Sequence, residues 1–371
     1  MKFDWLVVGA GLTGLTFARQ MASQRNERVL LIDSRTHLGG NIFDECNEHG
    51  VLVHKYGPHI FHTNSDKVWN YLSQFTAWRP YEHRVLGLVR DKWVPLPFNL
   101  DAIERLFPAS VAADLESRLL RAYGAEAKVP VLELRRSEDP ELRALAAFVY
   151  ENVFLDYTRK QWALEPEDLD PAVTARVPIL VSRDDRYFQD TYQAMPVPGY
   201  AAMARAIADH PNITVQLGTP FDPSQASQRA DRIFFTGQID RFFDFRLGEL
   251  PYRSMRFESR TLPVDQFQTV GTHNYPGNEP HTRITEQKII TGQELEGITT
   301  IVTEYPMAHV EGKTDPFYPI PRPDNRALYS RYASLAEIET PHVIFAGRLG
   351  DYQYYNMDQA VARALVIAQR I

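Results

Sequence analysis

A chain of 371 residues with 44% hydrophobic and 23% charged side chains has ordinary globular composition and room for two or three domains with cores of their own. Its 40 Lys and Arg against 47 Asp and Glu leave a net charge of -7, which argues against nucleic-acid binding and a polybasic membrane anchor, so an anionic ligand must be met by local arginines. The one cysteine, Cys46, excludes an intrachain disulfide and a cysteine-based metal site and suits a cytoplasmic setting, and no window nears the roughly 20 apolar residues of a spanning helix.

Residues 3–8 read as a buried strand, 14–23 as a helix packed on it and 28–32 as a second, parallel strand. This βαβ opening accounts for the apolar N-terminus better than a leader peptide does, because Asp4 interrupts the apolar run. Residues 66–70 are helical in pattern, and 84–96 read as a strand pair ending at prolines. Stretches 108–123 and 139–153 carry apolar residues at helical spacing. Over 179–195 and 253–305 the composition turns to Thr, Val, Ile, Phe and Tyr, as in an antiparallel sheet. Short apolar strands return at 213–217, 232–236 and 342–346, the last leading through residues 347–351 into a helix over 358–369.

The expected fold is α/β: a discontinuous Rossmann-like FAD-binding domain (1–65, 196–240 and 325–371), an inserted α-helical domain (66–82 and 98–178) and an antiparallel β-sheet domain (83–97, 179–195 and 241–324). The nucleotide assignment rests first on Gly9-Ala10-Gly11-Leu12-Thr13-Gly14, which follows a strand, opens a helix and precedes Asp33 at the end of the second strand. Gly9 allows the tight turn, Gly11 the approach of a phosphate and Gly14 close packing of helix on sheet. The helix N-terminus then faces a pyrophosphate, and Asp33 accepts hydrogen bonds from a ribose. Leu38-Gly39-Gly40-Asn41 resembles the second glycine pair of the large FAD family that includes amine oxidases, which favours FAD over NAD.

Three further stretches set isolated arginines among aromatic residues: Tyr56-Gly57-Pro58-His59-Ile60-Phe61-His62-Thr63, Tyr157-Thr158-Arg159-Lys160-Gln161-Trp162 and Gly347-Arg348-Leu349-Gly350-Asp351-Tyr352-Gln353-Tyr354-Tyr355-Asn356-Met357-Asp358. With them, from the N-terminal glycines to the last helix, the sequence closely resembles bacterial UDP-galactopyranose mutase. The resemblance implies a homodimeric isomerase that interconverts UDP-galactopyranose and UDP-galactofuranose for cell-surface polysaccharide. It implies FAD in its reduced form, with N5 as nucleophile at the anomeric carbon and UDP as leaving group, so that no net electrons leave.

The same resemblance assigns roles. Arg176, fourteen positions beyond Trp162, matches the family's loop arginine, and Arg283 in Pro280-His281-Thr282-Arg283-Ile284 matches a second. Both would hold the departing diphosphate, a task suited to a guanidinium that is always charged and binds bidentately, although a single arginine read alone is a surface salt bridge. Tyr157 is implied to stack on uracil with Phe154, Thr158 and Trp162 around it; the five-residue spacing of Tyr157 and Trp162 by itself fits helix-face packing equally well. Tyr187, Tyr318 and Tyr354 match tyrosines around the diphosphate, Asn274 a polar contact nearby, and Asn356 stands where relatives often carry Asp, so no protein general base is assigned.

Cofactor contacts are implied at Gly9, Gly11, Leu12, Thr13, Gly14, Asp33, Ser34, Gly40, Asn41, Ile60, Arg348, Tyr355, Asn356 and Met357. His59 is implied to lie against the flavin, with the backbone of Pro58 and His59 accepting the N5 proton. His59 and His62, with His49 and His54, lack the spacing and the carboxylates to complete a metal site. Two rival readings share the glycine fingerprint. An FAD-dependent amine oxidase-like oxidoreductase predicts oxygen consumption with an amine, and a non-enzymatic relative of the Rab-GDP dissociation inhibitors predicts a colourless protein.

Overall fold

Phe3–Val8 forms strand β1, Leu12–Gln24 helix α1 and Val29–Ile32 strand β2 in the computed structural model, which describes residues 2–169 and 178–371. β2 is wholly aliphatic and buried along its length, the pattern of a parallel strand covered on both faces. Phe17 of α1 stacks on Phe234 at 3.8 Å between ring centroids and meets Trp5 edge-on at 4.9 Å, which fastens the helix to the sheet. Five parallel strands run in the order Ile213–Gln216, β2, β1, Ala230–Phe235, Val343–Phe345. The chain leaves β1 toward one edge and returns much later to build the other, so the strand order reverses beside β1. The glycine turn sits at the carboxyl end of β1, at the reversal where open α/β sheets take their ligands.

The last helix, Met357–Arg370, buries Val361, Ala364, Leu365 and Ala368, an i, i+3, i+4, i+7 stripe, and packs on α1. A further helix, Pro323–Glu339, has no counterpart in the sequence reading, although Leu328, Tyr329, Tyr332, Leu335 and Ala336 recur along it at helical spacing and pack in one cluster. Its start signal is Pro323 in the first turn, where a missing N–H costs nothing.

The chain divides into two units, the first made of Met1–Tyr81, Asp190–Tyr252 and His309–Ile371, the second of Glu82–Gln189 and Arg253–Ala308. This differs from the three-way division read from sequence. Asp66–Leu72, capped by Ser65, belongs to the first unit, as does a small antiparallel sheet of Phe61–Thr63, Tyr192–Val197 and Ala77–Pro80. The helical and sheet stretches of the second unit share one core. Val85, Val89, Val94 and Leu96 of the hairpin Val85–Val89/Lys92–Leu96 pack with Leu115, Leu119, Leu142, Leu145 and Val149 from the helices.

The second unit's main sheet runs Tyr252–Leu262, Thr299–Ala308, Arg283–Glu286, Thr272–Asn274, Val85–Val89, Lys92–Leu96. It is antiparallel except between Thr272–Asn274 and Val85–Val89, which are parallel. The long helical stretch is interrupted: Pro140–Val149 passes through a π-helical turn, Tyr150–Phe154, into Leu155–Trp162. One extra residue in that turn rotates the face that the following helix presents, a device frequent at functional sites.

Candidate active site

In the first unit, the glycine turn is packed to its limit. A Cβ on Gly14 would lie 1.9 Å from the Gly9 carbonyl oxygen, and Gly9 itself has φ +101°, where only glycine is unstrained. Asp33 ties the turn to β2: the Ala10 N–H donates to its Oδ2 at 2.7 Å and the Arg35 N–H to its Oδ1 at 2.8 Å. The second glycine pair closes over the first, with the Gly39 N–H donating to the Ala10 carbonyl at 2.8 Å and a Cβ on Gly40 falling 2.9 Å from Gly11 Cα.

These residues open onto a cleft of about 730 Å³. Of the residues expected to touch a cofactor, Gly9, Gly11, Leu12, Thr13, Gly14, Asp33, Ser34, Gly40, Asn41, His59, Arg348, Tyr355, Asn356 and Met357 line it, while Ile60 is buried outside the lining. The donor set fits a dinucleotide. Gly11 caps α1 without a side chain, so the first-turn N–H groups of the helix are open to an anion. A Cβ on Gly11 would approach protein only at 4.0 Å, which leaves that space to a ligand. Sequence reasoning missed Thr219, Phe221, Arg241, Phe242 and Phe245, which line the same cleft. They follow the strands Ile213–Gln216 and Ala230–Phe235, and the rule that ligands bind beyond the carboxyl ends of strands is the signal that points to them.

His59 lies in the lining with burial pushing its pKa down to about 4, so the imidazole is neutral at neutral pH. Its Nδ1 is 2.9 Å from the Gly57 carbonyl oxygen, and its backbone N–H donates to Nδ1 of His54, a buried ring held at about 3 by desolvation. At the other end of the chain, Arg348 donates to the carbonyls of Tyr355 at 2.8 Å and Phe317 at 3.3 Å. Its guanidinium lies 5.4 Å from the Tyr318 ring and 5.5 Å from the Tyr354 ring, and these two rings meet edge-on at 5.1 Å. Asp351 braces this loop through the Gly347 N–H at 3.0 Å and Arg363 at 2.8 Å. Asn356 is the N-cap of Met357–Arg370, and its N–H donates to Gln359 at 2.9 Å.

In the second unit, strand register builds a polar row. Asn274 pairs with Arg283 and Arg283 with Glu304, so the three side chains stand on one face of the sheet. Arg283 donates to the Tyr157 hydroxyl at 2.7 Å, and its Nε lies 3.6 Å from Glu304 Oε2. Burial raises the Glu304 pKa while the Arg283 charge opposes the rise. Burial also pushes the Tyr157 phenol up to about 12, against the pull of Arg283. Among the described residues, Asn274 Oδ1 and Glu304 Oε1 are buried without a hydrogen-bond partner. Buried polar atoms without a protein partner, in one row with an arginine, are groups that water or a polar ligand could satisfy.

Phe154, Thr158 and Trp162 are buried beside the partly exposed Tyr157, from the π-helical turn and the helix after it. Tyr187 packs on the helical core and lies edge-on to Phe188 at 4.9 Å. The second unit thus holds Phe154, Tyr157, Thr158, Trp162, Tyr187, Asn274 and Arg283, and the first holds Tyr318, Tyr354, Asn356 and Arg348. Arg176 lies outside the described residues.

Residues 152–354 match the family model described as UDP-galactopyranose mutase, and residues 7–75 match a model for an NAD(P)-binding Rossmann-like domain. The chain is 38% identical to a probable UDP-galactopyranose mutase of Klebsiella pneumoniae over 365 residues, spanning 98% of this chain and 93% of the relative. It is 31% identical to a dTDP-fucopyranose mutase of Escherichia coli over 371 residues, spanning 98% and 97%. A crystal structure of reduced UDP-galactopyranose mutase superposes with a TM-score of 0.76 over 100% of this chain and 94% of that one; at 16% identity this likeness concerns the fold.

Proposed function

The chain belongs to the UDP-galactopyranose mutase family, and on that premise we propose that it interconverts UDP-galactopyranose and UDP-galactofuranose with reduced FAD bound in the cleft of the first unit. The observation that carries the substrate reading is the row Asn274, Arg283, Glu304, in which an arginine oriented by Tyr157 stands between two buried groups that each leave one oxygen without a hydrogen-bond partner. Reduced FAD, when bound, supplies at N5 the nucleophile that displaces UDP from the anomeric carbon.

The chain's own residues do the rest. The N-terminus of α1 and the bare Gly11 take the pyrophosphate of the cofactor, and Asp33, whose carboxylate oxygens keep further lone pairs, takes its adenosine ribose. His59, kept neutral by burial, would lie against the flavin, and the backbone of Pro58 and His59 would accept a hydrogen bond from its N5–H. Tyr157, with Phe154, Thr158 and Trp162, takes the uracil. Arg283 spends one N–H on Tyr157 and keeps others for the diphosphate, whose growing charge it stabilises as the bond to the sugar breaks. Arg176 and Tyr187 add to the diphosphate contacts in this reading.

A second reading of the sugar nucleotide is favoured by the likeness to the dTDP-fucopyranose mutase, which extends over 98% of this chain. The test is to incubate dithionite-reduced, FAD-loaded protein anaerobically with UDP-galactofuranose and separately with dTDP-fucopyranose, then separate products by chromatography. Formation of UDP-galactopyranose supports the first reading. Turnover of dTDP-fucopyranose alone transfers the reaction to that sugar nucleotide, and turnover of neither refutes both.

A further inference from the structure

We propose that Lys160 is a positioning residue for substrate: it fastens the helix bearing Tyr157 to the turn between Asn274 and Arg283, and so holds the elements that receive a nucleoside diphosphate in register. The inference rests on the nucleotide-sugar reading above. Tyr157 and Lys160 are three residues apart on Leu155–Trp162, a spacing that puts both on one side of the helix. Tyr157 meets Arg283 there, and Lys160 Nζ donates to the backbone carbonyls of Tyr275, Glu279 and His281 at 2.5, 3.1 and 3.1 Å. An ammonium has three donors and no acceptor, so these three carbonyls use its whole capacity.

All three acceptors lie in the turn joining Thr272–Asn274 to Arg283–Glu286, the strands that contribute Asn274 and Arg283 to the polar row. The same C-terminal end of the helix is held a second time. Arg253, buried on Tyr252–Leu262, donates to the carbonyls of Gln161 at 2.9 Å and Lys160 at 3.1 Å, satisfying groups that a helix C-terminus leaves open. The adjacent Arg159 makes a contrast: its partners Asp156 and Glu165 are exposed carboxylates, and such pairs are worth little. Lys160 is half-buried, and desolvation lowers its pKa against the opposing charges of Glu279 and Asp156. Arginine does not replace it, because a planar fork cannot converge on three carbonyls as a rotating ammonium can.

The experiment compares wild type, Lys160→Met, Lys160→Arg, Lys160→Ala and, as a control, Arg159→Met. UDP binding to the FAD-loaded oxidised proteins is measured by calorimetry, and KM and kcat for the nucleotide sugar on the reduced ones. Lys160→Met is expected to keep its flavin spectrum but to weaken UDP affinity and raise KM on the order of tenfold to a hundredfold, the scale of a displaced clamp. Arg159→Met should match wild type, Lys160→Arg should not rescue, and added n-propylammonium should restore UDP affinity to Lys160→Ala. A wild type that fails to bind UDP overturns the nucleotide reading itself. A wild type that binds UDP beside a Lys160→Met variant with unchanged affinity and KM overturns the role of Lys160 alone. Should Lys160→Met lose its fold, rescue of Lys160→Ala by n-propylammonium, the three-carbon fragment that the substitution removes, decides, and no recovery of affinity refutes the proposal.

Discussion

Arg283 is held by two unlike partners, a phenol oxygen at 2.7 Å and a buried carboxylate at 3.6 Å. Both orient the guanidinium without consuming its five donors. The Glu304 carboxyl is pushed toward neutrality by burial and drawn back by the arginine, so removing Arg283 leaves a buried acid with nothing to keep it ionised. Arg283→Ala is therefore expected to lose about a hundredfold to a thousandfold in kcat, the cost of a missing charge stabiliser. It should still take up FAD, because Arg283 and the glycine turn belong to different units. Steady-state rates and the flavin absorbance of the purified variant check both halves. Normal turnover would remove Arg283 from the mechanism, and a colourless variant would show that its role is structural. Arg283 was legible as a candidate from its motif. That it works beside Asn274 and Glu304 was not, since cross-strand register is absent from the linear sequence.

The glycine turn between β1 and α1 is the element most readable in advance, because each glycine answers a local demand. Its strictest demand is at Gly14, where a methyl group would overlap the Gly9 carbonyl oxygen at 1.9 Å. Gly14→Ala should push α1 away from β1 and give a folded protein with little or no bound flavin, seen as a circular dichroism spectrum like wild type without flavin absorbance. A variant that purifies yellow with full FAD content would contradict this account of the turn. Other elements were hidden for stated reasons. The π-helical turn Tyr150–Phe154 reads as uninterrupted helix, since its apolar residues keep helical spacing on either side. Pro323–Glu339 carries its apolar stripe, Leu328, Tyr332, Leu335 and Ala336, with exposed Arg331 and Ser334 set between, which blunts the periodicity. Lys160 stood in a quoted motif, yet its partners are backbone carbonyls, which no side-chain pattern reveals.

Across the whole molecule, three separated segments of the chain make the first unit and two make the second. The discontinuity was legible in outline, because short apolar strands return at the end of the chain. The assignment of residues 66–81 and 190–195 to the first unit was not, for it depends on pairing of Tyr192–Val197 with both Phe61–Thr63 and Ala77–Pro80. One unit carries a cleft whose residues fit a dinucleotide, and the other carries the polar row read as the substrate clamp. The central claim is that the flavin must be reduced but is not consumed. Its most direct measurement counts product formed per reducing equivalent, anaerobically, after a single stoichiometric addition of dithionite. Many turnovers per equivalent are expected, and none from the oxidised protein. One equivalent spent per product, or equal turnover by the oxidised protein, would contradict it.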